Sequence, residues 1–449
     1  MHSWALLLLS TALVAPVPPP SPTTDSTFPR QEIANPDSTA ATPAAESGTC
    51  CSSETIWLRA ERLIVEPGRV IMGGEVLVQG GKICAVGTGL ARPEGAKVIE
   101  GVVICAAFLD PWSGLCVDFG STLDEETTPS TRTADALAFY ENQHLCREAV
   151  RSGVTIARIQ VGGSAAFGGR GAVVRLAPEV VCCPRLVSDD AVVAAAVGMR
   201  GRGREVDIFD RIAQGDKLSD QLEAGRKYQE DLVEYRFELE EWEKAIAEKE
   251  KELEKEFKKS KKDREKEIAE AKEKGKEFKE KSYKEDKRPR EPKFDEDRAV
   301  LAEVISGRLP LFLASDGAAE IHTILDLTKP HGNLRIVLCG GREALPLAGE
   351  LASRKIPVLL YPAPRTARSQ GDLAGTDLSL AAQLAAKGVE VLIGGGGSAG
   401  ASRELPLLAA LAVGHGLDRE KAFRALTTGA ARVLDLSDRA YVVVQNTVP

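Results

Sequence analysis

The sequence predicts an α/β fold with a small antiparallel β unit before it and a long charged helical segment inside it. Three observations predict this arrangement: short strands between Gly pairs near residue 80, repeated pairs of a strand-like and a helix-like segment, and a Lys/Glu-rich stretch in the middle. The 449 residues suffice for two or three domains of about 100–200 residues, or for one large α/β domain with an appendage.

The first 54 residues predict targeting rather than folded structure. Residues 1–15 contain a short apolar run followed by small residues, and 16–54 are rich in Pro, Ser and Thr. The run is shorter than the roughly 20 apolar residues that span a bilayer, so we predict a signal peptide and a disordered linker. This indicates a secreted or periplasmic protein. No Lys or Arg precedes the run and Pro16 follows the expected cleavage residue, so an uncleaved membrane anchor is the alternative.

Residues 55–101 predict antiparallel hairpins. Alternating apolar segments at 56–62, 75–79 and 82–87 are separated by Gly73-Gly74 and Gly80-Gly81. Short alternating segments between Gly pairs are typical of tight turns that join neighbouring strands.

From residue 102 onward, strand-like and helix-like segments alternate. The predicted strands are 102–109, 154–161, 309–314, 334–339, 356–361 and 389–393. They are continuous apolar runs, as is typical of strands that are covered on both faces. The predicted helices are 134–151, 318–327, 344–355 and 378–387. Repeated β–α units indicate a parallel sheet, either open or closed into a barrel. We assign this part to residues 102–217 and 298–436.

The segment 218–297 between these halves predicts a charged helical insertion. Its apolar residues step by three, four and seven along one helix face: Leu232, Tyr235, Leu239, Trp242, Ile246 and Leu253. A charge run of this kind is usually a solvated helix. A dimerisation arm, and therefore a homodimer, is the alternative.

Composition excludes several classes of function. A net charge of −8 and a pI near 5.5 give no reason to expect nucleic-acid binding. Nine Cys without a Cys-x-x-Cys pair argue against a zinc ribbon or a thioredoxin-type site. We interpret four Cys beside apolar runs as small buried hydrophobic residues: Cys84, Cys105, Cys116 and Cys339. Only five His are available for a metal site.

Several segments resemble the amidohydrolase superfamily, and within it the imidazolonepropionase-like branch. The stretch from Gly74 to Gly87 (GEVLVQGGKICAVG) resembles the family's N-terminal β unit. The match continues at Gly153-Val154-Thr155 and at 161–174, of which we interpret 162–171 as a loop at the barrel mouth. Residues 404–436 resemble the closing helices of the family. The resemblance implies a (β/α)8 TIM-like barrel and a small β-sandwich built from residues 55–101 and 437–449. The sandwich is abbreviated, because only 440–445 matches a closing strand.

The resemblance also locates the metal ligands of the family, and this sequence lacks them. The first strand of the family ends in a His-x-His pair, which corresponds to Trp112 and Gly114 here, after a retained Asp110. The mid-barrel His-x-His pair corresponds to Ala314 and Asp316. Metal activation of water needs His or carboxylate ligands and a general base.

The loss continues in the later strands. The next His of the family corresponds to Gly340, followed by Arg342, and the strand that carries the general base corresponds to 394–397, four glycines. The remaining His lie in predicted helices or turns rather than at strand ends: His144, His322, His331 and His415. We therefore expect no catalytic residue, no metal and no cofactor.

The same Gly-rich stretch contains two short motifs. Gly396-x-Ser398-x-Gly400 has the spacing of a nucleophile elbow, and Gly395-x-Gly397-x-x-Gly400 that of a dinucleotide-binding loop. A nucleophile elbow would need an acid and a His downstream, and the one His available, His415, lies too close, across the next predicted helix. No βαβ unit with an acidic partner follows, so we interpret the stretch as a loop at the barrel mouth.

These observations predict a non-catalytic member of the family that binds an unknown small molecule or protein at the mouth of the barrel. The candidate pocket residues are Asp110, Trp112, Gly114, Gly163, Ser164, Arg170, Ala314, Asp316, Gly340, Arg342 and Gly396. One alternative is an active hydrolase of carbon–nitrogen bonds with a relocated site on Asp110 and Asp316, which could hold Mg²⁺ or Ca²⁺ weakly. The other is a structural protein that dimerises through the insertion.

Overall fold

The computed structural model describes residues 55–80, 82–117, 127–140, 142–161, 166–176, 186–198, 208–273, 287–362, 377–436 and 442–445. The predicted signal peptide and linker, residues 1–54, lie outside the described residues. No helix within these ranges combines the length and the apolar content that crossing a membrane requires.

The first sheet contains strands from both ends of the chain. Its strands are β1 (Thr55–Glu66), β2 (Arg69–Met72), β3 (Glu75–Gln79), β4 (Lys82–Gly87), β5 (Lys97–Ala106) and β14 (Val442–Gln445). The order is β14-β5-β1-β3-β4, with β2 on β1. The β1–β3 and β3–β4 pairs are antiparallel, which confirms the predicted hairpins. β14 pairs antiparallel with β5. A small apolar core covers this sheet: Leu58, Ala60, Leu63, Val76 and Ile104.

The second sheet contains eight strands in chain order. They are β6 (Phe108–Ser113), β7 (Val154–Ile159), β8 (Phe167–Arg175), β9 (Leu186–Ala196), β10 (Leu311–Ser315), β11 (Ile336–Gly340), β12 (Val358–Leu360) and β13 (Val391–Ile393). The Gly397 N–H, just beyond β13, donates to the Trp112 carbonyl in β6 at 3.0 Å. This contact brings the last strand to the first, so the sheet is a nearly closed barrel.

One strand departs from the expected (β/α)8 pattern. β8 runs antiparallel to both β7 and β9, whereas the other neighbouring pairs are parallel. Seven residues, 160–166, and ten residues, 176–185, separate β8 from its neighbours, which is fewer than the dozen or more that a parallel crossover needs. Neither β8 nor β9 was among the predicted strands, and the segment 167–171, predicted as part of a loop, is strand.

The predicted strand 102–109 is wrong, because it merges two strands of different sheets. β5 ends at Ala106 in the first sheet and β6 begins at Phe108 in the barrel. Both strands are apolar and Ala107 between them is also buried, so the hydrophobic pattern carries no sign of the change.

The described α-helices are α1 (Gln143–Arg151), α2 (Ile208–Glu273), α3 (Glu296–Ile305), α4 (Ala318–Thr328), α5 (Ala348–Ser353), α6 (Leu380–Ala386), α7 (Leu405–Gly414), α8 (Arg419–Leu426) and α9 (Thr428–Val433). The predicted helix 318–327 is confirmed by α4. The predicted helix 134–151 is wrong in its first half, because Asn142 has a left-handed φ of 53° and α1 begins only after it. In 344–355 a 3-10 turn over Leu345–Leu347 precedes α5.

Strand alternation separates two apolar layers. In β10, Leu311 and Leu313 belong to the layer that contains buried residues of α3, α4 and α7, whereas Phe312 and Ala314 belong to a second cluster with Cys339 of β11. Successive side chains of a strand point to opposite faces, so the second cluster fills the interior of the barrel. The candidate site lies at one end of this interior.

The long helix α2 begins at Ile208, before the predicted insertion boundary at 218, and its early turns are part of the core. Leu218 and Leu222 are fully buried, and the contact with α3 is close at Gly225, where an added Cβ would lie 2.6 Å from Leu301 Cβ. Of the predicted seam, the five residues from Leu232 to Ile246 are half-buried, and the Leu253 side chain lies outside the described part. Dimerisation through this seam stays a prediction.

The difference in burial along α2 predicts that Leu→Ala lowers the free energy of unfolding by different amounts at two positions. Leu222→Ala opens a cavity in the core and is expected to destabilise the protein by about 2–5 kcal/mol. Leu232→Ala on the same helix removes a half-buried side chain and is expected to cost clearly less. Urea unfolding of both variants checks this, and equal losses would show that the early turns of α2 do not form part of the core.

Candidate functional site

The candidate site lies where the strands of the barrel end. Asp110 and Trp112 lie near the end of β6, Ala314 lies near the end of β10, and Gly340 ends β11. Loops beyond the carboxyl ends of barrel strands form the usual site of barrel proteins. The structure therefore brings most of the predicted residues to one end of the barrel.

Asp110 joins the first strand of the barrel, β6, to the loop that follows the last strand, β13. It is fully buried, and its Oδ1 accepts hydrogen bonds from the backbone N–H groups of Trp112 at 3.0 Å and Gly395 at 2.9 Å. Its Oδ2 accepts from Ser402 Oγ at 2.6 Å, and Ser402 Oγ lies 2.7 Å from Ser113 Oγ. Burial raises the pKa of the Asp110 carboxyl, and the three donors counteract this rise. The carboxyl group holds the loop after β13 against β6.

Gly114 packs directly on this loop. A Cβ at this position would lie 2.3 Å from the Gly397 carbonyl oxygen, a distance that no real Cβ contact allows. Because the neighbour is backbone, it cannot turn away as a side chain would. The position that corresponds to the second His of the family is therefore closed to any side chain in this barrel.

The four glycines 394–397 are explained by close contacts. A Cβ on Gly395 would lie 2.7 Å from Asp110 Oδ2, and one on Gly396 would lie 2.8 Å from the Tyr361 ring. Gly396 and Gly397 also have left-handed φ values of 62° and 75°, which favour glycine. The predicted loop at the barrel mouth is thus a tight cover over Asp110 and Trp112.

Asp316 and Arg342 form an ion pair beside the end of β10. Arg342 Nε lies 3.1 Å from Asp316 Oδ2, and both side chains are about one quarter exposed, at 28% and 25%. Gly340 has a φ of 94°, and an added Cβ would lie 2.6 Å from Asp316 Oδ1. Gly340 thus permits the close approach of the Asp316 carboxylate to the end of β11.

Arg170 is engaged elsewhere. On β8, its guanidinium forms ion pairs with Asp190 and Glu296, each at 3.1 Å, and donates to the Ser130 carbonyl. Its charge is neutralised by these partners. It does not line the cavity described next. The other two predicted candidates in this region, Gly163 and Ser164, lie outside the described residues.

Side chains that were not predicted as site residues line a cavity inside the barrel. The cavity is narrow, with an internal volume of about 20 Å³, and its lining residues are Trp112, Arg158, Gln160, Ala194, Ala195, Phe312, Ala314 and Cys339. Arg158 lies within the apolar strand run 154–161, and a lone Arg in such a run was the signal that could have found it.

Arg158 is the buried charge of this cavity. It is only 2% exposed and lies 4.4 Å from the centre of the Phe312 ring. Its Nε donates to the Pro111 carbonyl at 2.6 Å and its Nη1 to Gln160 Oε1 at 3.1 Å. Burial lowers the pKa of the guanidinium, whose usual value is so high that it stays protonated.

The cysteines only partly follow the prediction. Cys116 and Cys339 are buried, Cys105 is half-buried, and Cys84 is exposed, so the prediction for Cys84 is wrong. β4 alternates along its length, and Cys84 lies on its exposed face. Burial raises the pKa of the Cys339 thiol to about 12, so this cavity residue is neutral.

The histidines lie away from the strand ends. His144 and His322 lie in α1 and α4, and His415 follows α7. Within the described ranges, no three His, Cys, Asp or Glu side chains are grouped as metal ligands.

Comparison with known proteins identifies the fold. No protein-family model and no curated protein matches the chain. Among solved structures, an amidohydrolase from Thermotoga maritima MSB8 is similar with a TM-score of 0.62 and 22% identity, over 86% of this chain and 90% of that one. The match to N-isopropylammelide isopropylaminohydrolase from Burkholderia multivorans ATCC 17616 has a TM-score of 0.42 and 14% identity, over 88% and 92%. The chain thus has the fold of an amidohydrolase.

The contact at Gly114 predicts a large effect of a single methyl group. Gly114→Ala forces the backbone of Gly397 away from β6 and is expected to destabilise the protein by about 1–3 kcal/mol, measured as a lower thermal midpoint. Gly349→Ala is the control, because nothing lies within 4 Å of that Cβ and alanine favours its helix. Equal midpoints for the two variants would contradict the close packing at Gly114.

The hydrogen bonds of Asp110 predict that the stability of the protein depends more on a side-chain acceptor at this position than on its negative charge. Asp110→Ala leaves three buried donors without their acceptor and is expected to cost at least about 3 kcal/mol. Asp110→Asn keeps most of the stability, because its carbonyl oxygen accepts from both backbone N–H groups while its amide donates to Ser402, which then donates to Ser113. Chemical unfolding of both variants checks this, and equal losses would show that the negative charge itself is required.

Proposed function

We propose that this protein is a member of the imidazolonepropionase-like branch of the amidohydrolase superfamily that has lost the catalytic metal site and binds a small molecule or protein. The proposal is carried by Gly114, which occupies a ligand position of the resembling motif and where an added Cβ would lie 2.3 Å from the Gly397 carbonyl oxygen. A His there would require a different path for the loop after β13.

The side chains at the other ligand positions support the same conclusion. Trp112 and Ala314 line the cavity and provide no ligand atom that zinc or iron prefers. Gly340 packs on Asp316, and the general-base position falls in the glycine cover 394–397. A metal-bound water would find no carboxylate base in the place that the resemblance assigns to it.

The contacts of the two acids argue against the relocated hydrolase site. Both Asp110 oxygens accept hydrogen bonds from groups that hold the barrel closed. Asp316 is paired with Arg342, whose positive charge disfavours a cation beside it. Neither carboxylate is free to bind Mg²⁺ or Ca²⁺ without loss of these contacts. Export by the segment 1–15, to the periplasm or outside the cell, belongs to the same proposal and is supported by the sequence alone.

Metal analysis of the purified full chain tests the proposed function. We expect far less than one zinc, iron or manganese ion per chain by elemental mass spectrometry, and no hydrolysis in a screen of amides and cyclic amides. About one tightly bound ion per chain, with a hydrolase activity that a chelator removes and added metal restores, would overturn the proposal. Gly349→Ala, which is expected to fold normally, is purified in the same way and serves as the control for metal content and hydrolysis.

A further inference from the structure

Arg158 carries a charge that the described residues do not neutralise by direct contact. No carboxylate of the described residues lies within 4.0 Å of its guanidinium, and none of their atoms accepts a hydrogen bond from Nη2. The Asp110 carboxyl acts on it only through a longer-range attraction. A buried charge without a partner is costly, and proteins normally pair it.

The other groups around the cavity hold Arg158 in place without supplying an anion. Gln160 accepts from Nη1 with Oε1, while its Nε2 donates to the carbonyls of Val161 at 3.0 Å and Gly168 at 2.7 Å. This amide is therefore oriented from both sides. Cys339 is a neutral thiol, and the Phe312 ring supports the guanidinium face. The guanidinium is fixed in advance, which lowers the entropic cost of binding a ligand.

From this geometry we propose that the cavity binds the carboxylate group of a small molecule through Arg158. Nη2 and the second hydrogen of Nη1 have no acceptor among the described residues, so this edge of the guanidinium can donate to the two oxygens of a carboxylate. The remaining walls, Trp112, Ala194, Ala195, Phe312 and Ala314, are apolar, and the volume of about 20 Å³ restricts the ligand to a carboxylate about as small as acetate. The inference rests on the proposed function, because it assigns a ligand class to the same barrel mouth.

Titration with sodium acetate tests this site in the full chain. At constant ionic strength maintained with sodium chloride, we expect a saturable rise of the thermal midpoint with a millimolar dissociation constant, and none with acetamide. Arg158→Met is expected to weaken acetate binding at least tenfold. Arg170→Gln is the matched control on the neighbouring strand, because Arg170 already has carboxylate partners, and it should bind acetate like the wild type.

A second variant keeps the test decisive if Arg158→Met does not fold. Arg158→Lys preserves the charge without the planar fork, so it is expected to bind acetate more weakly than the wild type. Equal binding by wild type and Arg158→Lys, a response to acetamide equal to that of acetate, or no response because chloride binds as well, would each overturn the carboxylate site.

Metal content and hydrolysis measured on the same preparations separate the two proposals. Metal-free, inactive protein that ignores acetate contradicts the carboxylate site alone. A metal-loaded, active protein that binds acetate through Arg158 contradicts the proposed function alone.

Discussion

The closure of the barrel depends on one buried carboxyl group. Asp110 receives two backbone N–H groups and one hydroxyl, and these donors come from both sides of the seam between β6 and the loop after β13. β13 and β6 are not joined by a strand ladder within the described residues. Side-chain acceptors that satisfy buried backbone donors can replace such a ladder, because each buried N–H must find a partner.

This closure explains why positions 114 and 395 are occupied by glycine. The loop 394–397 approaches β6 so closely that Gly114 and Gly395 leave no space for a Cβ. Gly114 and the glycines of the loop therefore belong to one packing arrangement, in which the loop backbone lies directly on the end of β6.

The sequence predicted the fold where its pattern was regular. The hairpins at 75–87, the strands at β7, β10, β11 and β13, and helix α4 followed from alternation and apolar runs. The change of sheet at Ala107 could not be predicted, because both strands are equally apolar. The reversal of β8 depends on tertiary pairing with β7 and β9, which local periodicity does not carry.

The candidate site was predicted only in part, for a physical reason. Motif comparison located Asp110, Trp112 and Gly114, because a replaced ligand is visible against a known pattern. It did not locate Arg158, since the surroundings of a side chain inside a barrel depend on strand alternation and on other strands, here on Phe312 of β10.

Arg158 places a positive charge in the interior of the barrel. A bound metal ion concentrates positive charge at the end of a barrel and attracts anionic groups there. In this chain a fixed guanidinium occupies the interior below that end, held by the Pro111 carbonyl and by Gln160. Unlike a metal, a guanidinium cannot activate water, but it retains the attraction for a carboxylate. The proposed loss of catalysis and the proposed carboxylate site are therefore compatible in one barrel, because they depend on different atoms.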